Sequence, residues 1–458
     1  MMPSMTNLSF LRHWFLKHQD QIRDDYFHFL RFRSISTEPA FKSDVEECAK
    51  WVASYLSNSG FESKLIPTSG HPLVFGQKLV DPEKETLLIY GHYDVQPIDP
   101  IELWESDPFT PTERDDRVYA RGAVDDKGQI FYAMLAMRAL ADSGQVLPVN
   151  IKFCIEGEEE AGSVGLSEGL STFKTDLQAD SLLVVDFDSY DETTPAINLG
   201  VRGMVTMQVT LTGSKSDLHS GLCGGIAYNP NRALVQLLAK LHSDDGQVAV
   251  DRFYDGVQEP TAEEKKVYPS HLDAEQCKKL YDLTVLGGEK GRTPHENNIF
   301  RPTLEINGIA GGYAGPGFKT VIPAKAVAKL SCRLVPNQDP IKVGSQVKSF
   351  LERHAVKGMK IDVEVYPGGA YAFRGNPNSK LAKAVSDASS EVCEKPCQKV
   401  LSGASIPVIA ALSKALGVET VGMGYGLPSD QIHAPNEHFD FRRLELGFLT
   451  VASAIGKL

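Results

Sequence analysis

A chain of 458 residues, 42% hydrophobic and 23% charged, exceeds what one ordinary core accommodates and predicts two globular domains. Its formal net charge of −12 comes without a basic block or aromatic–basic interleaving, so nucleic acid is not an expected partner; phosphate binding needs clustered Lys and Arg. No stretch approaches the roughly 20 apolar residues that span a bilayer, and no membrane partner is expected.

In chain order, residues 1–20 mix Arg12, His13 and Lys17 with aromatics and offer no small-residue cleavage site. They read as the start of a helix rather than a signal peptide, which makes a cytoplasmic location the default. Residues 44–56 carry apolar side chains at helical spacing and run into Asn58-Ser59-Gly60, a natural helix stop. Short apolar runs at 86–90, 149–155 and 181–185 have the length of buried strands. Residues 126–140 predict a helix with Ile130, Met134, Met137 and Leu140 on one side. Such alternation points to an α/β sheet covered on both faces.

The pattern changes after Gly200. Residues 204–211, 304–308 and 326–334 alternate apolar and polar positions, as strands with one solvated face do. Residues 232–242 read as helical, and 243–298 as polar and helical in parts. A strand at 419–423 and a helix at 441–455 return to the first style. The expected organisation is a catalytic α/β domain, 1–200 and 401–458, interrupted by a separate α+β domain at 201–400. The seven cysteines (48, 154, 223, 277, 332, 393 and 397) are odd in number, scattered and free of any Cys-x-x-Cys pair, the pattern of reduced thiols.

Chemistry concentrates at the ends of the predicted strands. His92 and Asp94, in Gly91-His92-Tyr93-Asp94-Val95-Gln96-Pro97, stand two residues apart beyond the run 86–90, where extended backbone turns both side chains one way. Open α/β sheets bind ligands at this carboxyl end. A lone histidine there is ordinarily structural; further ligands at comparable positions make it a metal ligand, with Asp94 orienting it from behind. In Ala120-Arg121-Gly122-Ala123-Val124-Asp125-Asp126-Lys127-Gly128, Asp125 is the better bridging carboxylate, and Asp126 is left to the helix start. Glu159 and Glu160 follow the run 149–155, and neighbouring acids supply both a ligand and a proton acceptor. Asp186 and Asp188 follow the run 181–185, and one of the two is a further ligand. His433 follows the last strand. Mixed nitrogen and oxygen donors suit two divalent ions, Zn²⁺ first, with Mn²⁺ or Co²⁺ also accommodated.

From about residue 44 onward the chain resembles the co-catalytic metallopeptidase family that contains cytosolic non-specific dipeptidase, carnosinase, aminoacylase and bacterial peptidase V. The resemblance is carried by Gly-His-x-Asp-Val-Gln-Pro, Ala-Arg-Gly-x-x-Asp-Asp-Lys-Gly, Glu-Glu-x-Gly-Ser, and His433 with Asn436 and Glu437. It implies a zinc-peptidase-like three-layer α/β/α catalytic domain with an inserted α+β lid and dimerisation domain. It implies that His92, Asp125 and Asp186 hold one metal and Asp125, Glu160 and His433 the other. Glu159 is then the general base and Asp94 the supporting carboxylate. Spacing to Pro195 and to Gly200-Val201-Arg202-Gly203 favours Asp186 over Asp188.

In the inserted part, the resemblance implies that His219, in Asp217-Leu218-His219-Ser220-Gly221, crosses a homodimer interface to stabilise the oxyanion in the partner's site. Thr320 and Arg333 match positions that grip the substrate's C-terminal carboxylate, and Ser405 matches another substrate-binding position. The implied activity is hydrolysis of dipeptides or short peptides with a free C-terminal carboxylate. N-acyl-amino-acid deacylation is the alternative on the same scaffold, and an inactive binding protein a remote one. One departure stands out: the Gly-rich turn of residues 366–371 lacks the histidine that carnosinase-type enzymes carry there.

Overall fold

The computed structural model describes residues 8–268 and 273–458. Residues 1–7 of the N-terminal reading and residues 269–272 of the polar stretch lie outside the described residues. The chain divides into two units: residues 1–200, 375–400 and 411–458 form one, and 201–374 with 401–410 the other.

The first unit is built on a nine-stranded mixed sheet. At its centre Asn150–Glu156, Thr86–His92, Ser181–Val184 and Glu419–Met423 run parallel in that spatial order. Leu73–Lys78, antiparallel to Asn150–Glu156, and Glu62–Ile66 extend one side; Ala196–Val201 lies antiparallel beyond Glu419–Met423. Asn150–Glu156 is buried at every position and Thr86–His92 at all but the first, which requires layers on both faces. The strand expected to stop at Tyr90 continues to His92, whose ladder partner is Glu156.

The helix Lys127–Asp142 is buried around nearly its whole circumference, not along one side as its periodicity predicts. It lies against Thr86–His92 and is covered by Gln19–Leu30 and Phe441–Gly456, so its polar-looking positions also face protein. Buried Lys127 satisfies its ammonium on the Phe32 carbonyl at 2.7 Å. The expected boundary near residue 400 differs for a comparable reason. The helix Lys380–Cys393 turns Leu381, Ala384, Val385, Ala388 and Val392 inward and packs on Phe441–Gly456, which places 375–400 in the first unit.

The second unit has a four-stranded antiparallel sheet in the order Thr303–Ala310, Lys325–Leu334, Gly203–Thr212, Lys360–Val365. With the helices Pro230–Leu238 and Pro340–His354 it follows a β-α-β-β-α-β path, the ferredoxin-like arrangement. Gly203–Thr212 alternates buried and half-buried positions along its length. Val205, Met207, Val209 and Leu211 point into a core shared with Leu234, Leu237, Val347 and Leu351 of the two helices.

Candidate metal centre

The parallel strands of the first unit deliver polar side chains to one end of the sheet. Gly91 is a glycine because Asp126 and Ile130 press on it: a Cβ there would lie 2.6 Å from Asp126 Oδ2. His92 is fully buried. Its Nδ1 lies 3.2 Å from Asp94 Oδ1, and its Nε2 lies 3.2 Å from Asp125 Oδ1 and 3.9 Å from Asp186 Oδ2. On the other side of Asp125, Oδ2 lies 2.9 Å from His433 Nε2, which is itself 3.3 Å from Glu160 Oε2.

Two groups of potential metal donors result, His92 with Asp125 and Asp186, and Asp125 with Glu160 and His433; within each, the donor atoms lie within 4.8 Å of one another. Asp125 belongs to both, offering one oxygen to each histidine. Asp188 is in neither group and instead bridges to Gly426.

The supporting bonds explain the placement. Asp94 accepts from the Ser36 hydroxyl at 2.6 Å and from the Glu159 and Glu160 amides at 3.2 and 3.1 Å, so one carboxylate ties His92 to the Glu159–Ala161 turn. Gln96 donates to Glu160 Oε2 at 2.7 Å. Asp126 precedes the helix as expected, but its side chain does not cap it; Oδ2 accepts the His92 amide at 2.9 Å. His433 sits at φ +60°, a left-handed conformation uncommon outside glycine.

The residue that sequence reasoning left without a role is Glu437. Its buried carboxylate accepts Arg121 Nη1 at 2.8 Å, the amides of Gly122 at 2.9 Å and Val124 at 3.0 Å, and that of Asp125 itself at 3.1 Å. The loop presenting Asp125 is therefore shaped around an acid 312 positions away. The only signal in the sequence is its proximity to His433.

Electrostatically the cluster is short of positive charge. Burial, aided by Glu160 and Asp125, outweighs His92 and pushes the Glu159 carboxyl up to about 7. Burial and Asp126 push Asp186 well above the carboxylate range, and burial and Asp125 raise Glu160. Asp125 is held low despite burial by its bonds to His433 and His92. His433 is raised to about 10 by Asp125 and Glu160, and His92 is raised by Asp125 and Asp94 against burial. Divalent ions fit this donor set: they would replace the imidazole protons and neutralise carboxylates that are only partly open to water.

The four expected substrate-side residues belong to the second unit, and of them Arg333 and Ser405 are directly bonded to each other. Exposed His219 lies on a two-stranded ladder with Val321, and Thr320 accepts the Ser220 amide at 3.0 Å. The His219 Nδ1 accepts the Gly221 amide at 2.9 Å, so the neutral ring carries its proton on Nε2. Arg333 donates to Ser405 Oγ at 2.7 Å.

The sequence profile described as peptidase family M20/M25/M40 matches residues 88–457. The chain is 31% identical over 437 residues to the Cys-Gly metallodipeptidase DUG1 of Candida albicans, covering 89% of this chain and 88% of that one. It is 31% identical over 446 residues to the human Beta-Ala-His dipeptidase, covering 92% and 86%. Its fold matches an M20 family metallo-carboxypeptidase, Sso-CP2 from Sulfolobus solfataricus, with a TM-score of 0.85 at 32% identity over 95% of this chain and 98% of the other.

Proposed function

This chain belongs to peptidase family M20/M25/M40, and on that premise we propose that it hydrolyses the amide bond of dipeptides or short peptides with a free C-terminal carboxylate. The observation that carries the reading is Asp125, whose two oxygens address two histidines in two separate donor groups.

His92, Asp125 and Asp186 hold one divalent ion, and Asp125, Glu160 and His433 the other. The donor mix suits Zn²⁺, and Mn²⁺ or Co²⁺ are accepted by the same oxygen-rich set. When bound, the pair supplies Lewis-acid activation of the scissile carbonyl and of the attacking water. Glu159 stands beside the ligand Glu160 in a partly buried turn, takes a proton from water and returns it to the leaving amine. Asp94 keeps the His92 ring and the Glu159 turn in register through one carboxylate. His219 presents an Nε2–H suited to a developing oxyanion, contributed across a homodimer of the inserted unit. Arg333 with Ser405, and Thr320, hold the substrate carboxylate. Seven free thiols fit a reducing, cytoplasmic setting.

Deacylation of N-acyl amino acids is not favoured, because the two relatives described above carry dipeptidase names. Glu159→Gln is expected to abolish dipeptide turnover while the protein keeps two metal ions per chain by elemental analysis. Turnover at the wild-type rate in that variant would sink the proposed proton path. A panel of dipeptides against N-acyl amino acids separates the two substrate classes.

A further inference from the structure

The two histidines of the donor groups are held in different ways. His92 is fully buried, with Asp94 behind its ring and Asp126 on its amide. His433 is about half exposed, and among the described residues its imidazole meets only Asp125 and Glu160, its companions in the donor group. Packing does not place such a ring; the backbone that carries it does. That backbone leaves the strand Glu419–Met423, makes the short 3₁₀ turn Pro428–Asp430, and is left-handed at Gln431 (φ +59°) and again at His433 (φ +60°). Left-handed residues other than glycine are costly, and they persist only where their surroundings fix them.

Asp430, three positions before His433, is the fixing point and is fully buried. Its Oδ2 accepts the Leu427 amide at 2.8 Å, closing the turn in which the Asp430 amide donates to the Leu427 carbonyl at 3.0 Å. Both ends of the Arg443 fork reach the same carboxylate, Nη1 to Oδ2 at 2.5 Å and Nη2 to Oδ1 at 2.7 Å. Arg443 is pinned in turn: Nη1 also donates to the Tyr425 carbonyl at 3.0 Å, and Nε donates to Asp440 Oδ2 at 2.5 Å. It stands in the first turn of the helix Phe441–Gly456, where Asp440 accepts its amide at 2.8 Å as the helix cap. His438 Nε2 lies 3.7 Å from Asp430 Oδ1, beyond hydrogen-bond reach, so Arg443 answers the buried charge. A planar, bidentate guanidinium joins the end of a strand, a turn and a helix in this way; a lysine ammonium has no such fork. Glu437 supports the loop of Asp125, which serves both donor groups, whereas Asp430 and Arg443 make no bond to that loop among the described residues.

We propose that Asp430 and Arg443 are a positioning pair for His433, governing occupation of the Asp125, Glu160 and His433 donor group but not that of His92, Asp125 and Asp186. The inference rests on the two-metal reading of these groups, and neither residue is itself a metal donor.

The test titrates metal-free, full-length protein with Zn²⁺ against a chromophoric chelator. The wild type is expected to take up two ions per chain. Asp430→Asn keeps the side-chain shape but turns an amide toward Arg443. It is expected to bind one ion with wild-type affinity and the other about 10- to 100-fold more weakly. His433→Ala is expected to weaken the same ion. The double variant should then bind no worse than His433→Ala alone, because a residue that acts through His433 has nothing left to position. Arg443→Lys, which keeps the charge without the fork, is expected to fall between the wild type and Asp430→Asn, and it carries the same test if Asp430→Asn does not fold. Equal weakening of both ions, wild-type affinity for both, or a further loss in the double variant overturns the positioning pair. A wild type that takes up fewer than two ions overturns the two-metal reading itself.

Discussion

Replacing Glu437 by Gln tests whether the Asp125 loop is held from a distance. The carboxylate accepts four hydrogen bonds, Oε2 from Arg121 and the Gly122 amide, Oε1 from the amides of Val124 and Asp125. An amide in its place turns an NH₂ group toward two of these donors. An orphaned buried donor costs about 1–3 kcal/mol, so the two together lose about 2–6 kcal/mol. Arg121 and Glu437 are each about 1% exposed, and removing one partner of a buried ion pair costs about 3–5 kcal/mol. The two figures describe the same replacement and are not summed; a net loss on the order of 4 kcal/mol follows. Because the loop presents the carboxylate shared by both donor groups, part of that loss is expected to appear as weakened metal binding, about 10- to 100-fold. The assay is competition of the metal-free protein against a chromophoric chelator for Zn²⁺, with apparent melting temperature alongside. Wild-type affinity for two ions together with unchanged melting would refute the idea that Glu437 shapes the site.

Two other perturbations probe the buried carboxyls around the cluster. Burial pushes the Glu156 carboxyl up to about 8 from 4.5, so between those values the folded chain keeps a proton the unfolded chain has released. Its stabilising contribution is therefore full below about pH 4.5 and is lost as pH rises toward 8. Glu156→Gln, still able to accept from Tyr90 and Ser163, should gain on the wild type across that window, by up to the order of 5 kcal/mol at about 1.4 kcal/mol per pH unit. Denaturant melts of the metal-free proteins at pH 5 and pH 8 read this, and a stability difference independent of pH contradicts it. Asp94→Asn loses an acceptor facing Ser36 and the Glu159–Glu160 amides and is expected to lower kcat/KM about 10- to 100-fold at saturating metal; a wild-type value would show that Asp94 does not position the turn.

What was legible in the sequence, and what was not, divides by range. His92, Glu160 and Asp186 stand in local contexts that announce themselves: a buried apolar run, then a donor at or beyond the carboxyl end of a strand that its neighbours place in parallel; Asp125 stands instead in the loop that leads into the helix Lys127–Asp142. Such signals need only a few consecutive residues. Asp186 rather than Asp188 is the member of the donor group because the strand ends at Val184 and the chain then carries Asp188 into a bridge with Gly426. The supports were not legible, because they are pairings across the chain: Glu437 with Arg121, Ser36 with Asp94, the helix Lys380–Cys393 with Phe441–Gly456. A polar side chain that a distant loop buries looks, in sequence, like any solvated one.

The same limit explains the cavity beside Arg333. Alternation along Lys325–Leu334 reveals that one face of the strand is buried by helices, and it predicts water on the other. It cannot reveal that Tyr281, Leu283 and Leu286, from the polar stretch 243–298, line one cavity together with Arg202 and Arg333. The residues that line this cavity are thus drawn from segments with little periodicity of their own, while His92 and Asp186 of the donor groups sit at or just beyond the ends of parallel strands. On this view, substitutions within 281–286 are expected to change substrate preference while leaving metal affinity intact. Substitutions around Glu437 should do the reverse.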